Sequence, residues 1–411
     1  MKCRFCAASL DLSLVDLGSA PPSNAYLSAH SLKTPEKWFP LSVMVCQECW
    51  LVQTEDFAQA SELFDAEYAY FSGYSSSWLV HCEQYVSEMI DRLGLNVGSH
   101  VVEIAANDGC LLQYFKQRGI SCTGVEPTAS TAQSARSKGI FVVEEFFGAR
   151  LAKELLTAGK QADLITANNV LAHVPDINDF VAGFATLLKP HGIATFEFPH
   201  LLQLVAENQF DTIYHEHFSY LSLTTVSKIF AANGLEAFEV QKLPTHGGSL
   251  RVFCQRRDTG QRVINGSMQE ALLEEARAGM LSAAFYADFQ SRIESVKNEF
   301  LEFLLRARRE GKLVAAYGAA AKGNTLLNFA GVRADLLAFV VDKNPAKQDK
   351  YLPGSRIPIV SEELLLEHKP RYVVILPWNL KEEVMQQLAY IKEWGGSFVT
   401  AVPRLSVVPA C

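Results

Sequence analysis

A tyrosine, two histidines and a glutamate lie together in the segment Tyr214-His215-Glu216-His217, inside the stretch Asp211 to Leu223. Such side chains accept and donate protons near neutral pH, and the segment follows a stretch patterned as a nucleotide-binding α/β unit. The combination indicates proton transfer coupled to cofactor chemistry. A metal site and a polar loop with internally satisfied hydrogen bonds are the two alternatives.

Zinc binding by His215 and His217 is the stronger of these alternatives. Residues two apart on a strand point to one face, so the two imidazoles could chelate a metal. The metalloprotease pattern instead has two histidines four apart on a helix, with a glutamate between them. The segment lacks that spacing and an evident third ligand, which favours acid–base chemistry.

Two matching Cys-x-x-Cys pairs lie near the N-terminus, separated by 39 residues. Each pair brings two thiolates together, and two pairs supply the four sulfur ligands that tetrahedral zinc prefers. Because no coordination position is left open, we expect a structural zinc ion that folds a small module. Incidental thiols are the alternative. The expected ligands are Cys3, Cys6, Cys46 and Cys49.

An α/β unit should position the acid–base segment. An apolar strand, Val101 to Ile104, runs into the turn Asn107-Asp108-Gly109, and a second strand ends at Glu126, 23 residues after Glu103. An acidic residue at that point binds ribose hydroxyls in such folds. The turn has a single glycine and lacks the dinucleotide fingerprint. It is similar to the S-adenosylmethionine (SAM) binding loop of methyltransferases.

Later segments continue the doubly wound α/β pattern. A third strand precedes Glu144 to Phe147, where adenine usually lies, and the fourth and fifth strands end at residues 169 and 200. A terminal hairpin over 235–257 is usual for SAM-dependent folds. The residues expected to contact the cofactor are Glu103, Ala105, Asn107, Gly109, Glu126, Phe146, Phe147, Asn168 and Asn169.

Aromatic residues precede this unit in a Ser/Gly-rich stretch that contains Tyr68, Tyr70, Phe71 and Tyr74. They could fill the core or form a lid over a cofactor. From Ser77 onward, apolar residues recur at helical spacing, which predicts a helix that packs on the next domain.

The C-terminal part is predicted to be a second α/β unit. Its first strand ends at Gly318, and Lys322-Gly323-Asn324 opens the following helix. Backbone N–H groups at a helix N-terminus favour an anion, and the lysine adds positive charge. The Walker pattern is absent, which disfavours ATP hydrolysis. We expect a domain that holds a nucleotide diphosphate, with a purely structural domain as the alternative.

Size and composition limit the class of protein. The 411 residues are 49% hydrophobic and 20% charged, which predicts a globular protein of two or three domains. The predicted domains are a zinc module (1–58), a SAM-binding domain (59–256) and a C-terminal α/β domain (257–411). A net charge of −8 argues against nucleic-acid or membrane partners. No run spans a bilayer and no signal-peptide pattern opens the chain, so we expect a cytoplasmic location.

The motifs together carry a specific resemblance. They are the cysteine quartet, YFSGYSSSW, VVEIAANDG, NNVLAHVPD, YHEHFSY, THGGSLRVF and AYGAAAKGNTLLN, spread from residue 3 to about residue 328. With these motifs the chain resembles the deoxysugar C-methyltransferase family, which acts on nucleotide-linked 4-keto sugars. The resemblance implies SAM and structural zinc as cofactors and a nucleotide-diphosphate 4-keto sugar as substrate.

The resemblance also implies roles for individual residues. In the family the last histidine of YHEH removes the C3 hydrogen that the 4-keto group acidifies, and this histidine is His217 here. A base and an oxyanion stabiliser are required before carbon can take a methyl group. The implied catalytic residues are His217, Tyr214, Glu216, His173 and Tyr68. The implied substrate-binding residues are Tyr68, Tyr70, Tyr74, His246, Lys322 and Asn324.

Two other functions remain open on the sequence alone. A SAM-dependent O- or N-methyltransferase would share the central domain but would need no enolate-stabilising pair. A zinc-ribbon protein that binds nucleic acid is disfavoured by the acidic balance and by the lack of an NPPY-like segment. Three domains in one chain could already enclose a site, so a monomer would suffice.

Overall fold

Three β-sheets, with four, seven and six strands, organise the described residues. The computed structural model describes residues 1–57 and 71–410. The predictions for Tyr68 and Tyr70 lie outside the described residues. No described helix combines the length and the apolar character that crossing a membrane requires.

The N-terminal sheet is antiparallel, and its strands alternate buried and more exposed residues. In its second strand, for example, Leu41, Val43 and Val45 are buried. This period of two is expected for a sheet with one face on the core. The strands from the first 57 residues are β1 (Leu12–Ala20), β2 (Phe39–Val45) and β3 (Val52–Thr54).

The central sheet confirms the predicted Rossmann-like methyltransferase fold. The strands in this part of the chain are β4 (His100–Ile104), β5 (Ser121–Val125), β6 (Phe141–Val143), β7 (Ala162–Asn168), β8 (Leu188–Pro199), β9 (Ser219–Tyr220), β10 (Leu235–Leu243) and β11 (Ser249–Arg256). Seven of them follow the order β10-β11-β8-β7-β4-β5-β6. From β6 to β8 the neighbours are parallel, and β10 and β11 form the predicted antiparallel hairpin.

Helices cover the central sheet, and the first of them has a capping residue at each end. The first helix starts after Ser75, whose hydroxyl accepts a hydrogen bond from the Trp78 N–H at 3.3 Å, and it ends at Gly94 with φ of +63°. The helices are α1 (Ser76–Leu93), α2 (Leu112–Gln117), α3 (Ala129–Ser137), α4 (Ala149–Thr157), α5 (Ile177–Leu187), α6 (Leu201–Ala206) and α7 (Leu223–Ala232).

Strand β9 does not join the central sheet. It pairs with β3 through Val52 opposite Tyr220 and Gln53 opposite Ser219, and it completes the N-terminal sheet in the order β1-β2-β3-β9. The chain directly after the acid–base segment is therefore attached to the zinc module.

The C-terminal sheet confirms the second α/β unit. Its strands are β12 (Val314–Tyr317), β13 (Val340–Val341), β14 (Ile359–Val360), β15 (Tyr372–Ile375), β16 (Ser397–Thr400) and β17 (Ser406–Pro409). They follow the order β14-β13-β12-β15-β16-β17, with only β17 antiparallel to its neighbour. The helices are α8 (Gly266–Arg277), α9 (Phe289–Arg309), α10 (Ala321–Phe329), α11 (Glu363–His368) and α12 (Lys381–Gln387).

The three parts share buried apolar residues. One cluster contains Val43 from the N-terminal sheet, Phe210 and Ile213 before the acid–base segment, and Phe300 and Leu326 from the C-terminal part. Helix α8 buries Met268 and Ala271 against the central domain. The domain boundary at residue 257 stays a prediction. Residues 210–217 are packed by the N-terminal, central and C-terminal parts of the chain.

Candidate functional site

The four predicted cysteine ligands lie together at the edge of the N-terminal sheet. Their sulfur atoms are all within 4.8 Å of one another, and no other such cluster occurs within residues 1–57 and 71–410. The sulfur pairs Cys3–Cys49 and Cys6–Cys46 are separated by 3.6 and 3.5 Å. Four convergent thiols are the donor set that tetrahedral zinc prefers, so the residues fit a structural zinc ion.

Both cysteine pairs use the same backbone turn. Ala7 and Trp50, the residues after each pair, have φ of +61° and +67°. Their N–H groups donate to the carbonyl oxygens of Cys3 and Cys46 at 2.9 and 2.8 Å. The repeated turn, with a positive φ at two residues other than glycine, holds each pair in the geometry of a metal knuckle.

The acid–base segment lies on a turn, not on the strand that chelation by His215 and His217 would need. The two imidazoles contact different parts of the molecule. His215 Nε2 donates to the carbonyl oxygen of Pro40 in β2 at 3.1 Å, whereas His217 Nδ1 donates to the carbonyl oxygen of Thr212 at 2.7 Å. The alternative of a zinc site at these histidines finds no support, since each ring has its own carbonyl partner.

His217 is a neutral imidazole with a defined tautomer. A carbonyl oxygen only accepts hydrogen bonds, so Nδ1 carries the proton and Nε2 keeps a lone pair. Nε2 has no hydrogen-bond partner among the residues described. Burial lowers the pKa of His217 well below its usual 6.5, and His173, His246 and Lys322 lower this pKa further. This ring can therefore accept a proton at neutral pH.

Two aromatic rings pack against His217. The Tyr214 ring lies over it with centroids 3.9 Å apart, and the His173 ring meets it edge-on at 4.6 Å. His173 Nδ1 donates to the backbone carbonyl of Glu216 at 2.8 Å, and burial lowers the pKa of His173 to about 4. Three of the predicted catalytic residues are thus in direct contact.

Glu216 is buried, and its carboxylate contacts the N-terminal module. One oxygen accepts a hydrogen bond from the side-chain amide of Asn24 at 3.1 Å, and the other has no partner within the described ranges. Burial raises the pKa of Glu216 to about 6. A carboxyl group with this pKa exchanges protons readily near neutral pH.

The C-terminal domain contributes a lysine. Lys322, on the first turn of α10, donates to the side-chain oxygen of Asn379 at 2.7 Å, and its ammonium group lies 4.8 Å from the centre of the Trp378 ring. Burial lowers the pKa of Lys322, and Asp211 opposes this effect. Lys322 is close enough to lower the pKa of His217, so the C-terminal domain faces the acid–base segment.

Asn324, predicted to bind substrate, has a structural contact. Its amide donates to the backbone carbonyl of Ser23 at 2.6 Å, and the side chain is buried. Thr325 donates to the carbonyl of Ile213 at 2.8 Å. These two bonds attach α10 to the N-terminal module and to the turn that carries the histidines.

His246 lies on the turn of the β10–β11 hairpin. Its Nε2 accepts a hydrogen bond from the side-chain amide of Asn169 at 3.2 Å, and the Trp78 ring lies 5.9 Å from its centre. Burial lowers the pKa of His246 to about 4, and Lys322 lowers it further. The hairpin turn therefore brings a second neutral histidine close to His217 and Lys322, and the region between these three residues is called the cleft.

A buried network supports this hairpin turn. Glu197, at the end of β8, accepts hydrogen bonds from Thr245 at 3.3 Å and from Arg251 at 3.1 Å, and its carboxylate lies 3.0 Å from His81. Burial alone would raise the pKa of Glu197, but His81 and Arg251 outweigh it and lower this pKa. The charges compensate one another within the protein.

The predicted cofactor residues line the carboxyl edge of the central sheet. Glu103 and Asp108 each have one buried oxygen, and Asn168 a buried amide nitrogen, that lack a hydrogen-bond partner among the described residues. Both oxygens of Glu126 accept backbone N–H groups, from Asn107 and Thr128, at 2.9 Å. Unpaired donors and acceptors at this edge fit a ligand with amino, carboxylate and hydroxyl groups.

Several of these residues have unusual backbone conformations. Ala105, Asn107 and Asn169 have φ of +57°, +47° and +55°. Strained residues often mark functional sites. Gly109 also has a positive φ, of +74°. The predicted cofactor loop thus has a strained backbone.

The stretch after the predicted lid approaches this loop closely. The Ser72 N–H donates to the side-chain oxygen of Asn107 at 2.9 Å, and a Cβ at Gly73 would overlap the Asp108 carboxylate. The backbone of Tyr74 belongs to the same short helical turn, Ser72–Tyr74. The chain that leads from the tyrosines to α1 therefore lies against the cofactor loop.

The two predicted adenine-side phenylalanines differ. Phe147 packs edge-on against Phe180 and Phe184 at 5.7 and 5.3 Å, inside the central core, whereas Phe146 is 51% exposed. A contact between the cofactor and either ring stays a prediction. Phe146 is the ring with an accessible surface.

Sequence reasoning did not identify three residues that support the site. Asn24 contacts Glu216 from 192 residues away, and Thr54 donates to the backbone carbonyl of His217 at 3.1 Å. Glu197 holds the hairpin turn. Nothing in their local sequence signals these contacts, because each depends on how distant parts of the chain pack together.

Three family models match successive parts of the chain. Residues 3–64 match the model described as "Putative zinc binding domain", and residues 79–240 match "Methyltransferase domain". Residues 244–403 match "C-methyltransferase C-terminal domain". Zinc and SAM, the predicted cofactors, are confirmed by these matches together with the cysteine cluster.

Individual proteins are also similar to the chain, over all of it or over a part. C-methyltransferase NovU of Streptomyces niveus is 35% identical over 409 residues, which cover 100% of this chain and 97% of that protein. A ubiquinone biosynthesis O-methyltransferase of Bordetella avium is 33% identical over 102 residues, or 24% of this chain and 42% of that protein. The structure of PH0226 from Pyrococcus horikoshii OT3 has a TM-score of 0.38 and 14% identity, over 49% of this chain and 100% of that chain.

Proposed function

Since this chain belongs to the C-methyltransferase family, we propose that it methylates C3 of a nucleotide-diphosphate-linked 4-keto-6-deoxy sugar. The observation that carries the proposal is the tautomer of His217, whose Nε2 is the proton-accepting nitrogen of a ring that stacks on Tyr214 and follows Glu216. Carbon needs a base before it can accept a methyl group, whereas an enzyme that only positions its substrate has no need of a base.

The chemistry at the substrate follows from its keto group. A carbonyl at C4 acidifies the hydrogen at C3, so His217 Nε2 can take that proton and leave an enolate with its charge on O4. Tyr214 orients the His217 ring by stacking, with the ring centroids 3.9 Å apart. When bound, SAM supplies the electrophilic methyl group.

The cofactor would be held at the carboxyl edge of the central sheet. Glu103, Asp108 and Asn168 have the buried, unpaired polar atoms described above, and Glu126 stands at the end of β5. These groups suit the amino acid and ribose parts of SAM. Positioning the two substrates accounts for much of the rate in such transfers.

The sugar nucleotide would lie between the central and C-terminal domains. Lys322 and the N-terminus of the nine-residue helix α10 supply positive potential for the diphosphate. Tyr68, Tyr70 and Tyr74 are the further predicted contacts of the sugar. Enclosure by three domains supports a monomeric enzyme.

The test incubates the purified protein in deuterated water with SAM and a thymidine-diphosphate 4-keto-6-deoxyhexose. We expect the sugar to gain one methyl group by mass spectrometry and to lose its C3 hydrogen by NMR. Without SAM, solvent deuterium should enter C3 if deprotonation is reversible. Methylation of oxygen or nitrogen would instead favour the O- or N-methyltransferase alternative. If the protein neither methylates the sugar nor exchanges its C3 hydrogen, this sugar class is rejected.

A further inference from the structure

Two histidines of the cleft hold their protons on opposite nitrogens. His217 Nδ1 donates to the Thr212 carbonyl, so Nε2 is the acceptor. His246 Nε2 instead faces the side-chain amide nitrogen of Asn169, which only donates hydrogen bonds. Neutral His246 must therefore carry its proton on Nδ1, and that N–H has no hydrogen-bond partner among the described residues.

His246 is held in a conformation that histidine rarely adopts. Its φ and ψ are +54° and +22°, in the left-handed region, and Gly247 and Gly248 after it also have positive φ. Thr245 is bonded to the buried carboxylate of Glu197. Functional sites often contain a strained residue that contacts in the surrounding turn hold in place.

We propose that His246 is a catalytic residue that stabilises the enolate, an inference that rests on the proposed function. As the C3 proton moves to His217 Nε2, the C3–H electron pair forms the C3–C4 double bond, and the C4–O4 π electrons move onto O4. The His246 Nδ1–H then donates a hydrogen bond to that oxygen. In this step His217 accepts the C3 proton, and His246 donates a hydrogen bond to the enolate oxygen.

The charges around His246 suit a neutral donor. Burial disfavours a second proton on the ring, Lys322 and His81 add to this effect, and together they outweigh Glu197, which favours the proton, so the ring is neutral at pH 7. Lys322 is a less suitable donor for O4, because its ammonium group already bonds Asn379 and lies over Trp378. Donors fixed before the reaction stabilise an oxyanion without the cost of reorganisation.

A measurement on the protein alone tests the tautomer. Long-range nitrogen–proton NMR correlations of the full chain labelled with ¹⁵N-histidine distinguish Nδ1–H from Nε2–H rings. We expect the signal of His246, assigned by its absence from His246→Asn, to show Nδ1–H, and that of His217 likewise. A proton on Nε2 of His246 would overturn the proposal without any assay of activity.

Deuterium exchange at C3 without SAM tests the catalytic role. Removing one oxyanion donor lowers rates by about 10²- to 10³-fold, so His246→Gly, which tolerates a left-handed backbone and has no side-chain donor, should slow exchange by that factor. Asn169→Asp keeps the His246 ring but replaces the amide donor with a carboxylate acceptor. Neutral His246 would then carry its proton on Nε2. At about pH 8.5, where the imidazole is neutral, this variant should lose exchange to a similar extent.

His100→Asn is the matched control. His100 lies at the start of β4, at the opposite end of the sheet, and burial lowers its pKa to about 4 as well. This variant should keep the wild-type exchange rate. If wild-type protein exchanges C3 and both cleft variants stay within about threefold of it, His246 has no such role. If wild-type protein neither exchanges nor methylates the sugar, the proposed function itself has failed.

Discussion

The histidines of the cleft are neutral because burial disfavours the charged ring. One pKa unit corresponds to about 1.4 kcal/mol of differential interaction, and the pKa values of His173 and His246 fall to about 4. Each ring then has one nitrogen committed to a fixed partner, which determines what the other nitrogen can do. Backbone carbonyls and one amide thus assign the roles of proton acceptor and donor.

Replacing His217 with asparagine should abolish most of the activity. A general base contributes about 10²- to 10⁴-fold, so both methylation and C3 exchange should fall by a factor in that range. SAM binding, measured by calorimetry, should not change. The matched control is His215→Asn, two residues away, whose ring faces Pro40 in the N-terminal sheet and whose loss should leave turnover near wild type. Near wild-type turnover in His217→Asn would transfer the role of base to His173 or Tyr214.

The pKa of His217 also determines the pH dependence. Because this pKa lies well below 6.5, the ring stays unprotonated as pH falls to 6.5, and only more acidic conditions convert it to the inactive imidazolium. The exchange rate of wild-type protein should therefore be flat between about pH 8 and 6.5 and decline below. A decline centred above pH 7 in the rate profile would contradict a buried histidine base.

At the scale of elements, two turns form the site and a third element locks them together. The turn at residues 210–217 carries Asp211, whose carboxylate accepts the Trp378 indole N–H at 2.7 Å. The hairpin turn contacts the same indole, since a Cβ at Gly247 would overlap the Trp378 ring. Trp378 follows β15, so one C-terminal side chain fixes both turns.

Gly247→Ala should disturb this arrangement. The residue has φ of +87°, and the added methyl group would meet the Trp378 ring and the Gln209 amide. We expect the free energy of unfolding to fall by about 1–3 kcal/mol, with a raised KM for the sugar nucleotide because Trp378 supports Lys322. Urea unfolding and initial rates measure the two effects.

Gly159→Ala is the control for backbone strain alone. Gly159 has φ of +71°, and a Cβ there would have no atom within 4 Å. This variant should lose about 1 kcal/mol of stability and keep its KM. Equal effects of the two substitutions on KM would mean that the contact with Trp378 does not position Lys322.

At the scale of the whole molecule, the site lies where three domains meet. The N-terminal module contributes Asn24 to Glu216, and its strand β3 pairs with β9 directly after the histidines. The module therefore acts on catalysis through the position of the turn.

Loss of zinc should lower activity even though the four zinc ligands lie in the N-terminal module. A structural zinc site contributes about 10–16 kcal/mol of binding free energy in small modules. This exceeds the free energy of unfolding that such a module has without metal. Cys46→Ser should therefore lose zinc, measured by mass spectrometry of the metal, and lower both Tm and the methylation rate. Cys122→Ser, outside the quartet, should change none of the three. A zinc-free Cys46→Ser protein with full activity would show that the N-terminal sheet does not hold the turn.

The sequence by itself determined the class of fold and the cofactors, and its resemblance to a family proposed His217 as the base. Cysteine spacing, the order of apolar strands and the YHEH segment depend on local periodicity and side-chain chemistry, and these appear in the chain directly. The confirmed elements include the terminal hairpin and the second α/β unit. Even so, the sequence did not show that the histidine segment forms a turn. In this turn the two histidines donate hydrogen bonds to carbonyl oxygens in different parts of the molecule.

Only the tertiary structure decided which residues meet. Strand β9 joins a sheet that is more than 160 residues away along the chain, Asn24 reaches Glu216, and Trp378 bridges two turns. The tautomers of His217 and His246 depend on a carbonyl and an amide supplied by folding. Contacts between distant segments arise from burying a shared core, and no local pattern of residues records them.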